Sequence, residues 1–154
     1  MSRRELIKMT PEESDAFLHG RHTMNLATQN HDGTIHLVAM WYGFLPDGTI
    51  GFETFARSQK VKNLQRDPRV TALVEDGDAY DTLQGAELVG TMEISDDADT
   101  LMAIATDVLA RYHPEIEEAD RASMAEVMVN KRVVMLLRPE KMVTWDHRKL
   151  QGGY

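Results

Sequence analysis

Residues 54–64, Thr-Phe-Ala-Arg-Ser-Gln-Lys-Val-Lys-Asn-Leu, place a guanidinium, a hydroxyl and an ammonium where a strand pattern gives way to a helix pattern. A helix starting there leaves backbone N–H groups unsatisfied and presents the positive end of its dipole, which suits a phosphate. Ser58 adds a hydroxyl, Arg57 offers a bidentate fork and Lys60 a point charge. An ordinary capped surface helix shows the same junction, so the motif is weak alone. Met40-Trp41-Tyr42 precedes it on a neighbouring strand pattern. Strand alternation puts Met40 and Tyr42 on one face and Trp41 on the other. A thioether and an aromatic ring beside an anion site suit a flat heteroaromatic ligand, with plain core packing as the competing reading.

Other chemistries find no support. The chain has 154 residues and no cysteine, which excludes disulfides, thiolate catalysis and Cys-based metal sites. Its six histidines show no ligand spacing; His19 and His22 are separated by the helix stop at Gly20, and no metal site is expected. Gly-x-Ser-x-Gly and Gly-x-Gly-x-x-Gly are both absent, arguing against a serine hydrolase and a Rossmann site. Net charge is −8, which argues against nucleic acid as a partner. Against that acidity, residues 57–69 carry Arg57, Lys60, Lys62, Arg66 and Arg69 with one acid, Asp67. No apolar run approaches a membrane span and no signal peptide is visible, so the cytoplasm is the expected compartment.

The elements that must position these residues follow from turn and cap signals. Thr10-Pro11-Glu12-Glu13 opens a helix to about Leu18, stopped by Gly20. Strands are expected at 23–28, 35–44 and 50–55, joined by turns at Asp32-Gly33 and Asp47-Gly48. A short helix capped by Ser58 runs to Arg66 and stops at Asp67-Pro68. Strands at 70–75 and 86–94 follow, the second with a possible bulge at Gly90. Ser95 or Asp96 caps a helix to about Tyr112, and another covers 119–129. The segments 132–137 and 142–145 are late strands interrupted by Pro139, and 151–154 reads as flexible. The whole, 1–154, reads as a single domain: mainly β (α+β), a six-stranded antiparallel barrel with flanking helices, closed to protect its edges.

With this order of elements, the run Ser58-Gln59-Lys60-Val61-Lys62-Asn63-Leu64-Gln65-Arg66-Asp67-Pro68 resembles the pyridoxamine 5′-phosphate oxidase-like split barrels, in particular their deazaflavin (F-420)-dependent branch. The resemblance spans roughly residues 10–147, including Arg138-Pro139-Glu140 before Trp145. It implies a homodimer with cofactor sites across the interface. The cofactor it implies is FMN or the 8-hydroxy-5-deazaflavin coenzyme F-420. Carried onto this sequence, Ser58 and Lys60, with Arg57 nearby, hold the cofactor phosphate, and Asn63 sits at the same end. Met40, Trp41 and Thr54 border the ring, and Trp145 reaches it from the partner subunit.

One departure matters. Pyridoxamine-phosphate oxidases have a longer C-terminal segment for the substrate phosphate, which argues here against vitamin-B6 oxidation. Arg148 and Lys149 either bind an anionic substrate or the coenzyme's glutamate tail, or form a disordered basic end. The expected activity is hydride transfer from reduced deazaflavin to a small organic acceptor. The alternatives are an FMN-dependent oxidoreductase of the same fold and a non-catalytic flavin or haem carrier, with His147 as axial candidate. No catalytic residue is assigned: Tyr42, His36 or a water could give the proton.

Overall fold

A computed structural model of the chain describes residues 2–150; the flexible end expected at 151–154 lies outside them. In chain order the elements are α1 (Arg3–Leu6), α2 (Pro11–Leu18), β1 (Met24–Gln29), β2 (Ile35–Met40), β3 (Gly43–Phe44), β4 (Ile50–Phe55), α3 (Gln59–Arg66), β5 (Arg69–Asp76), β6 (Gln84–Ser95), α4 (Ala98–Tyr112), α5 (Glu118–Met128) and β7 (Arg132–Asp146). The strands form one antiparallel sheet in the order β2-β1-β5-β6-β7-β4-β3. The core lies on its concave side, where Met24, Leu26, Phe52, Val74 and Leu88 meet Val61 and Leu64 of α3.

Both early hairpins use the same chemistry. In Asp32-Gly33-Thr34 and Asp47-Gly48-Thr49 the glycine takes a positive φ, +85° and +86°. In each, the Asp carboxylate accepts from the Thr backbone N–H, at 3.1 and 2.9 Å.

The sheet has seven strands and its ladder does not close, in place of the closed six-stranded barrel expected. The expected strand 35–44 is cut at Trp41-Tyr42, leaving β2 and β3 at opposite edges of the sheet. Only two residues join those edges. Three peptide steps reach at most about 11 Å, so the sheet must curl until its edges nearly meet. The ladder breaks because Tyr42 is engaged elsewhere. Its side chain is fully buried and its hydroxyl donates to the Leu18 carbonyl (2.6 Å), while Arg111 of α4 donates to its own carbonyl (3.2 Å). Phe44 N–H goes to Asp107 of α4 (2.8 Å), so that helix covers the β3 edge.

A second difference lies in β7, which runs unbroken through Pro139. Proline cannot donate to a ladder and is tolerated at a bulge. Its partner is Gly90, and the β6–β7 register shifts between Val89 and Gly90. The bulge expected at Gly90 is therefore what lets the two late segments join. A Cβ on Gly90 would sit 2.1 Å from the Arg138 carbonyl oxygen. Gly90→Ala is expected to cost about 1–3 kcal/mol, read as a lower denaturant midpoint at unchanged slope; an unshifted midpoint would refute this packing.

Candidate functional site

β4 ends at Phe55, a turn carries Arg57, and Ser58 takes the extended backbone of an N-cap (φ −67°, ψ 155°). The Ser58 hydroxyl does not cap α3. Its Oγ is buried and makes no hydrogen bond. Lys60, in the first turn of α3, is 8% exposed and makes neither a hydrogen bond nor an ion pair among the described residues. Burial lowers its pKa; Glu53 opposes that shift and Arg132 adds to it. A buried lysine that makes no direct hydrogen bond or ion pair is costly, and such a group is retained where a ligand completes it.

Two further groups stand beside it. Along β4, Phe52 and Thr54 face the core, while Glu53 and Phe55 face outward. Arg132, across the ladder from Phe55, pairs with the Glu53 carboxylate and lays its guanidinium over the Phe55 ring at 4.3 Å. The Arg132 Nε is buried and unpartnered. Burial raises the Glu53 pKa, against the pull of Arg132. Orphaned donors on Ser58 and Arg132, an unpaired ammonium and a helix N-terminus fit a phosphate.

The other expected site residues do not join this cluster. Asn63 is fully buried with its amide saturated: Gln59 donates to its Oδ1 (2.9 Å), and its Nδ2 donates to Thr28 Oγ1 (3.1 Å) and Asn30 Oδ1 (2.9 Å). It ties α3 to β1. Thr54 is 4% exposed on the core side of β4. Met40 packs partly against the core and pairs with Met24, four residues along β1 from Thr28. That separates it from the α3 end by roughly 13 Å. Trp41 is 47% exposed and stacks on Tyr112, with ring centroids 4.8 Å apart. Trp145 pairs with Gly85 and lies close over it, near the Met40 end of the sheet but four strand spacings away, roughly 19 Å along the surface.

Two other expectations change. Tyr42, a candidate proton donor, is locked in the core with its pKa raised by burial. Arg148 and Lys149 are neither free nor disordered: Arg148 grips Asp146 (2.8 Å), and Lys149 holds the Lys8 carbonyl (2.8 Å) and the Glu13 carboxylate. The residues missed from sequence are Glu53 and Arg132, whose pairing depends on strands far apart in the chain.

This fold agrees with comparisons to known proteins. The pyridoxamine 5′-phosphate oxidase family model matches residues 10–146, and the chain belongs to that family. The conserved protein Rv2991 of Mycobacterium tuberculosis is similar at 40% identity and a TM-score of 0.91, over 100% of this chain and 95% of its own. An F-420 reductase is similar at 27% identity and a TM-score of 0.62, over 86% of this chain and 98% of its own. HutZ, a haem storage protein of Vibrio cholerae, shares the fold at 14% identity and a TM-score of 0.62, over 87% and 94%.

Lys60 gives a test that separates a ligand site from a structural one. Lys60→Met is expected to raise the stability of the ligand-free protein by about 0.5–2 kcal/mol. The sign with pH follows from the lowered folded pKa. The penalty is full below that value and fades as pH rises toward lysine's ordinary 10.5. The advantage of Lys60→Met in denaturant melts should therefore shrink at alkaline pH; a destabilised variant would mean that Lys60 has a structural partner.

Proposed function

We propose that this chain binds a flavin-type redox cofactor by its phosphate and acts as a homodimeric oxidoreductase. The observation that carries the reading is Lys60, a buried lysine with no hydrogen bond or ion pair among the described residues, beside the orphaned Ser58 hydroxyl at the head of α3. Ser58, Lys60 and the first N–H groups of α3 hold the phosphate, with Arg57 exposed beside them. Asn63 positions α3 through its bonds to β1 and does not touch the ligand. Met40 and Trp41, one strand length away, border the ring. When bound, the cofactor supplies the hydride chemistry, and the chain supplies grip, orientation and shelter from water. FMN and the deazaflavin coenzyme F-420 both carry the required phosphate. Similarity to an F-420 reductase supports the second.

The homodimer is supported by the convex face of the sheet. On β2 the outward residues are Ile35, Leu37 and Ala39, with Ile35 62% and Leu37 67% exposed. β2 is also an edge strand with one ladder side unpaired. A contiguous apolar row on an open edge marks an interaction surface. A second copy laid on this face buries that row, and the expected reach of Trp145 into the partner's ring site belongs to the same proposal.

One observation favours a second reading, haem carriage. His147 Nδ1 donates to the Tyr80 carbonyl (2.8 Å), leaving Nε2 as a free lone pair, as in an axial ligand. Titration distinguishes the two: a Soret band lost in His147→Ala supports haem.

For the flavin reading, titration should show FMN or the deazaflavin coenzyme binding more tightly than riboflavin, which lacks the phosphate. Lys60→Ala should weaken only the phosphorylated ligands, by about 1.5–3 kcal/mol or roughly 10–150-fold. No preference for the phosphorylated ligands over riboflavin in the wild type, or unchanged affinity for them in Lys60→Ala, would refute the reading. In sedimentation, Leu37→Glu should convert a dimer to monomer; a wild-type monomer would remove the interface.

A further inference from the structure

We propose that His113, oriented by Glu115, is the proton donor of the ring site. The inference rests on the placement of the cofactor ring beside Trp41 proposed above. The sequence offers two other side chains as donors, and neither is free at that place. The Tyr42 hydroxyl is buried and already donates to the Leu18 carbonyl. His36 pairs with Thr28, four residues along β2 from Met40, or roughly 13 Å.

His113 is in contact with Trp41. Its imidazole stands nearly perpendicular to the indole, at 77° with ring centroids 5.4 Å apart. Tyr112 of α4 stacks on the same indole at 4.8 Å, and its hydroxyl donates to the His22 carbonyl (2.6 Å). The indole is thus held in place while nearly half of it stays exposed. The His113 backbone ends α4: its N–H goes to the Leu109 carbonyl (2.9 Å), and its carbonyl accepts from Ile116 (3.0 Å). The turn is closed without the side chain, whose polar partner is the Glu115 carboxylate, 2.8 Å from Nδ1. A backbone hydrogen bond, and then the bond to His113, lower the Glu115 pKa, so near neutral pH it is ionised and only accepts. Nδ1 therefore carries a hydrogen. Nε2, without a hydrogen-bond partner among the described residues, is the nitrogen that gains and loses a proton. The titratable or charged groups around it are Glu115, the Tyr112 hydroxyl and, acting on Glu115, Arg21.

When an acceptor double bond is reduced, hydride from the bound cofactor forms the new bond to one atom and the π pair moves to the other. The Nε2 proton joins that pair, leaving His113 neutral and the acceptor with two more hydrogens. The side chain is 38% exposed and regains its proton from water. The acceptor class that needs such a donor is a polarised double bond, a carbonyl or an alkene conjugated to one. Glu115 is a positioning residue, because it acts only through the imidazole.

The test uses the full chain and the phosphorylated cofactor that it binds more tightly, titrated oxidised and reduced. Near neutral pH a reduced flavin-type ring carries a negative charge that the oxidised ring lacks, so a protonated His113 beside it is read in binding. At about pH 6, His113→Ala should weaken the reduced cofactor by roughly tenfold or more and leave the oxidised one unchanged. The loss should shrink at about pH 8, where imidazole is neutral. His113→Phe keeps an aromatic ring against Trp41 but carries no proton, so it should match His113→Ala. Glu115→Ala should shift the reduced cofactor the same way by less. With cyclohex-2-enone as the acceptor probe, turnover should fall by roughly 100-fold or more in both His113 variants.

Reduced-cofactor affinity that is equal in wild type and both His113 variants, with binding still dependent on Lys60, would overturn the donor role and leave the phosphate site standing. His113→Phe matching wild type would overturn it too, since packing alone would then explain the side chain. A chain that binds neither phosphorylated cofactor would instead overturn the parent reading.

Discussion

Tyr42 holds the sheet in its curl. Its hydroxyl donates to Leu18, its carbonyl accepts from Arg111, and its ring lies under that guanidinium at 4.9 Å. Arg111 also donates to the carbonyls of His19 (3.0 Å) and Gly20 (2.8 Å) beyond the end of α2. One residue pair thus joins α2, the β2–β3 crossing and α4. Because the crossing is only Trp41-Tyr42, β2 and β3 end on opposite edges, and α4 covers one of them. The other, β2, keeps an open edge and an apolar outer face. The exposed surface and the curl are consequences of one constraint.

The α3 end of the sheet obeys a different logic. Asn63 and Asp146 are satisfied: Asn63 uses both ends of its amide, and Asp146 takes Arg148. At the head of α3, within a few residues of one another along two paired strands and a helix start, Ser58 Oγ and Arg132 Nε are buried without hydrogen-bond partners, and Lys60 makes no hydrogen bond or ion pair among the described residues. Unpaired groups of this kind weaken a fold and persist where a ligand completes them.

Local chemistry made much of this legible in the sequence. Asp-Gly-Thr turns announce themselves because few residues take a positive φ, and the capped helix at Thr10-Pro11 formed as its capping box requires. The junction at Ser58 was visible from the change of pattern there, although its hydroxyl does not cap α3. The break in strand 35–44 was not, because Trp41-Tyr42 carries no glycine or proline and reads as continuous strand. What interrupts the ladder is Arg111, 69 residues away. Pro139 misled in the other direction, since its tolerance depends on Gly90 across the sheet. Glu53 and Arg132, 79 residues apart, are ordinary charges until β4 and β7 pair. Asn63 reads in the sequence as a cofactor-end residue, and only its neighbours on β1 show that its amide is already engaged.

The most direct measurement is a crystal structure grown with the phosphorylated cofactor that binds more tightly. The account predicts the phosphate against α3, within hydrogen-bond distance of Ser58 Oγ and Lys60 Nζ, with Asn63 still bonded to Thr28. A cofactor phosphate bound elsewhere, with Lys60 turned to a protein carboxylate, would contradict it.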